Sequence, residues 1–209
     1  MKNSFRILAF ATAAAPALFL TGCATGVQNP SGVPVTEMKA DERGFVAGTG
    51  VESQDLVAVT DKMARGVLGI PEITSAKVAP RIVLDPVVNE TRFPINKDIF
   101  LTRIRSQLNE KSMGKVRFLD REMMKTLERE RDLKRGGQVT ASSDPNVVEF
   151  RGADYFLTGK LQGLTTKSSQ GTSDYILYSF RLTDARTSEI VWESSSEIKK
   201  QGLEDAAYR

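Results

Sequence analysis

Histidine is absent from the 209 residues, and cysteine occurs once, at position 23. Without histidine the chain lacks the usual general base and the commonest metal-ligating side chain. A lone cysteine forms no intramolecular disulfide, so Cys23 has another purpose. The apolar run Ile7 to Leu20 is fourteen residues long, too short for a hydrocarbon core that needs about 20. Excess charge is also missing: the formal net charge is +3, and Lys2 and Arg6 precede the apolar run, which leaves 3 − 2 = +1 on the remainder. A near-neutral chain gives no support to nucleic-acid binding. What remains is an ordinary globular composition, 40% hydrophobic and 26% charged, long enough to bury a core without disulfide or metal.

Two basic residues, an uncharged run broken by Pro16, and then Leu20-Thr21-Gly22-Cys23 make residues 1–22 a signal peptide. Leu20, Thr21, Gly22 and Cys23 match the bacterial lipobox. Small residues admit the backbone to a protease cleft, and the thiol of Cys23 is the nucleophile that accepts a diacylglyceryl group. Several acyl chains anchor stably where one does so only marginally. Resemblance to bacterial lipoproteins also implies sorting by the following residue, and Ala24 is not the Asp of inner-membrane retention. The expected site is the periplasmic face of the outer membrane, with Cys23 as the lipid attachment residue.

Residues 23–50 are rich in Gly, Pro, Ser, Thr and Val and carry no apolar period, as Asn29-Pro30-Ser31-Gly32-Val33-Pro34 illustrates. That composition predicts a lipidated, flexible tether. A globular domain follows over 51–203, with a tail at 204–209. Ser53-Gln54-Asp55 is expected to cap a helix with Leu56, Val59, Met63, Val67 and Leu68 on one face, ended by Gly69 and Pro71. Arg81 to Val88 reads as a central strand that Pro86 bends or stops, and Asn89 to Asn96 as a loop. A second helix, Lys97 to Lys111, is expected to bury Ile99, Phe100, Ile104 and Leu108. A short strand, Lys115 to Leu119, comes next. Asp120 then caps a third helix with Met123, Met124 and Leu127 inward and a charged outer face. Gly136-Gly137 ends it, and a helical turn is expected after Asp144-Pro145.

The last third changes to a period of two. Tyr155, Leu157 and Leu161 share a face, as do Ile176, Tyr178, Phe180 and Leu182, and Ile190 lies with Trp192. With turns at Thr166 to Ser173 and Arg186 to Ser188, these runs predict three hairpin-linked antiparallel strands. Their polar opposite faces imply helices mainly on one side.

Gly152-Ala153-Asp154-Tyr155-Phe156-Leu157-Thr158-Gly159, Tyr178-Ser179-Phe180-Arg181-Leu182 and Ser188-Glu189-Ile190-Val191-Trp192-Glu193 resemble the penicillin-binding protein activator LpoB family. Val87-Val88-Asn89-Glu90-Thr91, Leu119-Asp120 and the lipobox fall in the same order. The resemblance implies an α/β fold: a TolB-N-like mixed sheet of about five strands, flanked by three to four helices and ending in an antiparallel three-strand meander. It implies a palmitate-bearing outer-membrane lipoprotein that binds and activates a class A penicillin-binding protein, regulating peptidoglycan synthesis, and that is itself no enzyme. The short tether departs from members with a long Pro-rich one. No interface residue is carried over.

Catalytic alternatives lack their residues. Six residues separate Gly152 from Gly159, and Leu161 follows Lys160, so this is no phosphate loop. No Gly-x-Ser-x-Gly elbow occurs. Asp85, Glu90, Asp154 and Asp184 are candidates for a two-carboxylate glycosidase, though strand-end and turn roles are commoner. Asn89-Glu90-Thr91 reads as a polar turn. Tyr155, Tyr178 and Trp192 read as core rather than interface anchors. No cofactor, metal or nucleic-acid partner is expected. The second class of function is a structural or accessory subunit of an envelope secretion or appendage-assembly complex.

Overall fold

Pro86 divides the apolar stretch Arg81–Val88 into two strands. In the computed structural model, which describes residues 35–140 and 150–203, Arg81–Leu84 forms β1 and Val88–Glu90 forms β2. Both lie parallel to the same long strand, β4 (Tyr155–Ser168): Ile82 faces Tyr155, and Val88 faces Lys160. Proline offers no N–H to a ladder, so pairing lapses at Pro86 and resumes two residues later. Asn89 and Glu90, expected in a loop, therefore belong to β2. The polar turn starts after them, where Asn89 Oδ1 accepts from Thr91 N at 3.0 Å and Asn89 Nδ2 donates to Phe93 O at 2.8 Å.

The helix expected at Ser53 is α1, Ser53–Leu68. Its cap is one residue earlier: Glu52 and Asp55 exchange side-chain-to-backbone bonds in a capping box, with Glu52 N donating to Asp55 Oδ2 at 2.9 Å. A one-turn helix, α2, spans Pro71–Thr74. α3 (Lys97–Ser112) is capped by Asn96 and buries Phe100, Ile104 and Leu108. Ile99 is not buried with them but is 52% exposed. It lies about 100° round the helix from Phe100, off the stripe that the sheet covers.

β3 (Arg117–Phe118) pairs parallel with β1, and α4 (Met124–Arg135) follows. Asp120 caps the turn that leads into α4 rather than the helix, its Oδ1 accepting from Glu122 N at 3.1 Å and Met123 N at 3.2 Å. The expected inward face of α4 is also corrected, since no α4 residue is buried and Met123 and Leu127 are each 44% exposed. Alternating charge dominates this segment, and two methionines and a leucine do not outweigh it. The turn expected after Asp144 lies outside the described residues.

The meander is longer than its apolar pattern suggested. β4, β5 (Gly171–Asp184) and β6 (Ile190–Gly202) pair antiparallel almost throughout, and the turn expected over Thr166 to Ser173 shrinks to Ser169-Gln170. The sheet order is β3-β1-β4-β5-β6, with β2 also on β4. The expected α/β fold, a mixed sheet with a C-terminal antiparallel meander, is the fold observed.

Contacts place the described residues from Met38 onward in one unit. Its core is the inner face of the sheet against α1 and α3: Val59, Met63 and Val67 from α1, Phe100, Ile104 and Leu108 from α3, and Leu157, Leu161, Ile176, Tyr178, Phe180 and Leu182 from the sheet. Each contributes roughly 1.5–3 kcal/mol on burial. Gly66 lets α1 sit directly on Trp192, because a Cβ there would lie 2.9 Å from the indole. Tyr178 is completely buried, its ring centroid 6.3 Å from that of Phe100, and Trp192 and Tyr155 pack partly buried at the core's margin. The aromatic residues therefore take the core reading.

Candidate functional site

Cys23 and the lipobox residues Leu20, Thr21 and Gly22 lie outside the described residues. The four candidate carboxylates lie within them: Asp154 and Asp184 are neighbours, since Tyr155 faces Asp184 and Ala185 N donates to Asp154 O at 2.9 Å, and Glu90 lies apart from both. Asp154 accepts from Arg81 N at 2.8 Å. Asp184 accepts from the backbone of Arg186 and Thr187 at the β5–β6 turn, and those bonds hold its carboxyl below the ordinary range. Asp85 follows β1, where its N–H donates to Leu157 O. Glu90 faces Gln162, eight residues along the chain from Asp154, which is about 26 Å at roughly 3.3 Å per residue. A glycosidase pair needs about 5 to 10 Å. Glu90 is instead bonded to Lys160 at 2.8 Å. Among the described residues no group of three or more Cys, Asp or Glu gathers as a metal site, and no helix is long and apolar enough to cross a membrane.

Two other features stand out. The first is a buried polar knot where the chain enters the domain, at the far tip of the meander. Arg92 grips Asp174 with two bonds, at 2.9 and 2.6 Å, and also reaches Thr49 Oγ1 at 3.4 Å. Thr165 Oγ1 donates to the same carboxylate at 2.6 Å. Beside it, Lys200 Nζ donates to Gly50 O at 2.9 Å and to Asp55 Oδ2 at 2.5 Å. Asp174 is 2% exposed, and the hydrogen bonds from Arg92, reinforced by those from Thr165 and Thr49, pull its carboxyl down to about 2 against the desolvation that opposes them. Residues 49 and 50, linker by composition, are thus buried and bonded.

This knot was not foreseen. Its signal was present, because Asp174 keeps the inward register of Ile176, Tyr178, Phe180 and Leu182. An acid on a buried face requires a partner. The partners come from elements far away in sequence, which no local pattern identifies.

The second feature is the outer face of the meander. β5 alternates buried and half-buried residues, and its outward set is Ser173, Tyr175, Leu177, Ser179, Arg181 and Thr183. Across it, Arg181 Nη2 pairs with Glu193 at 3.0 Å. Leu164, 66% exposed, lies directly opposite Tyr175, and Leu177 is the next outward residue. The Tyr175 hydroxyl bonds Glu197, which, with burial as the larger cause, raises its pKa. Lys199 and Glu197 of β6 stand directly opposite Tyr175 and Leu177 on the same face, so apolar and charged side chains are mixed there.

Such an arrangement is a mixed-sheet domain with α1 and α3 packed on one face of the sheet. The family model of the peptidoglycan-synthase activator LpoB matches residues 55–198, from the first turn of α1 to Ile198 within β6. This chain belongs to the LpoB family, whose members are activators of peptidoglycan synthesis and envelope lipoproteins. Among solved structures, the LpoB C-terminal domains from Salmonella enterica and Escherichia coli are each 16% identical, with TM-score 0.43, and the match covers 69% of this chain and 98% of theirs. The NMR structure of Escherichia coli LpoB is 15% identical with TM-score 0.41, covering 94% of this chain and 91% of that one. Comparison with curated protein sequences finds no match.

Proposed function

We propose that this chain is an outer-membrane lipoprotein, cleaved before Cys23 and acylated there, whose domain binds and activates a class A penicillin-binding protein. The observation that carries the reading is the family match across most of the folded domain, residues 55–198. The carboxylates at positions 90, 154 and 184 have structural partners in an ion pair, at a strand start and in a turn.

The unit begins at Met38, so residues 23–37 separate the lipid from the domain, and fifteen residues span at most about 50 Å. A synthase served by this activator presents its receiving surface within that distance plus the length of the domain.

Purified domain mixed with a purified class A synthase and lipid-linked precursor provides the test. A several-fold faster glycan polymerisation or cross-linking, together with co-precipitation of the two proteins, is expected. No binding and no change in rate would remove the reading.

A further inference from the structure

We propose that residues 38–50 form a releasable strap, clamped to the domain at its inner end by polar bonds, and that tension on the chain detaches it and adds thirteen residues to the tether while the domain stays folded. This rests on the reading that the chain is anchored at Cys23.

Packing does little to hold the segment. No residue from 38 to 48 is buried, and Met38, Phe45 and Val46 are 41%, 63% and 75% exposed. A cavity of about 510 Å³ lies between the segment and the end of β6, lined by Arg43, Ala47 and Gly48 on one side and by Lys199, Gln201 and Leu203 on the other. The apolar contacts start at Val51, which packs against the core. Detaching residues 38–50 therefore exposes little apolar surface, and a segment with few buried apolar contacts opens at a lower free energy than the domain unfolds.

The clamp is polar and lies at one end. Gly48 N donates to Glu52 Oε1 at 3.0 Å, Arg92 Nη2 to Thr49 Oγ1 at 3.4 Å, and Lys200 Nζ to Gly50 O at 2.9 Å. On release, water replaces these partners at small net cost. The two cations keep their carboxylates, Arg92 on Asp174 and Lys200 on Asp55, so no buried charge is orphaned. Release stops at Glu52, which the capping box ties to the first turn of α1.

The consequence is a second length of tether. With the strap held, residues 23–37 reach about 50 Å; with it released, the twenty-eight residues 23–50 reach about 95 Å. The domain engages its partner within the shorter distance, and release lets it stay engaged as the distance grows.

The test pulls the full chain in optical tweezers between Cys23 and Arg186→Cys, at the β5–β6 turn, the end of the meander remote from the clamp. The Arg186 side chain is 82% exposed, so the handle disturbs no packing. The expected trace has a first extension of about 45 Å, thirteen residues long, at no more than half the force that unfolds the sheet. Thr49→Val and Lys200→Met are expected to lower the first force. Lys200→Met leaves Asp55 without its cation and weakens the domain as well, whereas Thr49→Val leaves the second event unchanged. Hydrogen exchange of the unaltered chain is expected to be at least 100-fold faster in residues 39–50 than in 176–182. A single event that frees the whole chain, a first force that Thr49→Val does not move, or equal protection of the two segments would overturn the strap. None of these readouts involves a synthase or a lipid, so the strap can fail while the activator reading stands. An unacylated Cys23 in material from the native host would remove the anchor, and with it the gain in reach.

Discussion

The two faces of the meander are made from alternate residues of the same three strands, yet they differ in nearly every physical respect. On the inner face Leu157, Leu161, Ile176, Tyr178, Phe180 and Leu182 are buried beneath α1 and α3. On the outer face their immediate neighbours Thr158, Lys160, Tyr175, Leu177, Ser179 and Arg181 are half-buried or exposed. Stability is thus concentrated on one side and surface chemistry on the other. A substitution on the inner face acts through cavities and desolvated charge, whereas one on the outer face leaves the fold intact and tests function cleanly.

The largest break in this comparison comes at its most buried point. Tyr178→Ala empties a fully enclosed site beside Phe100 and is expected to cost about 3–5 kcal/mol, read as a lower urea midpoint with unchanged slope. A loss below about 1 kcal/mol would mean that the inner face is not the core.

Next in size is the charge buried at the tip. The Asp174 carboxyl is held at about 2 in the folded domain, below an unfolded value near 3.9. A depressed acid lends stability that is fully present above the unfolded value and is lost as pH falls through the folded one. Unfolding free energy is therefore expected to decline by about 2 kcal/mol between about pH 4 and pH 2 from this group alone. In Asp174→Asn that part of the decline disappears. An identical pH slope in both proteins would show that Asp174 does not carry it.

The smallest effect belongs to the outer face. Arg181→Gln breaks the exposed pair with Glu193 and is expected to change stability by no more than about 1 kcal/mol, measured by thermal unfolding. A larger loss would make the outer face structural and erase the asymmetry.

Much of this was legible in order along the chain. The stripe Val59, Met63, Val67 and the alternation from Ile176 to Leu182 identify their elements, because both periods arise from backbone geometry within a few residues. Misreadings fell where composition and tertiary contact disagree. The apolar pattern points Met123 and Leu127 inward, but the charged remainder of the segment keeps them half in water. Thr49 and Gly50 sit in a Gly-rich stretch that reads as linker, and two cations from distant strand and loop positions bury them.

By itself, then, the sequence determined most of the elements, the apolar faces of α1 and of the meander, the Leu20 to Cys23 motif and the family resemblance. All of these depend on residues close together along the chain or on their order. Only the tertiary structure decided which face of the meander the helices cover, that Arg92 and Lys200 clamp the entry of the chain, and that Leu164 and Tyr175 stand opposite each other in the open. Those facts depend on distances between residues as much as 150 positions apart, and such distances exist only once the chain has closed on itself.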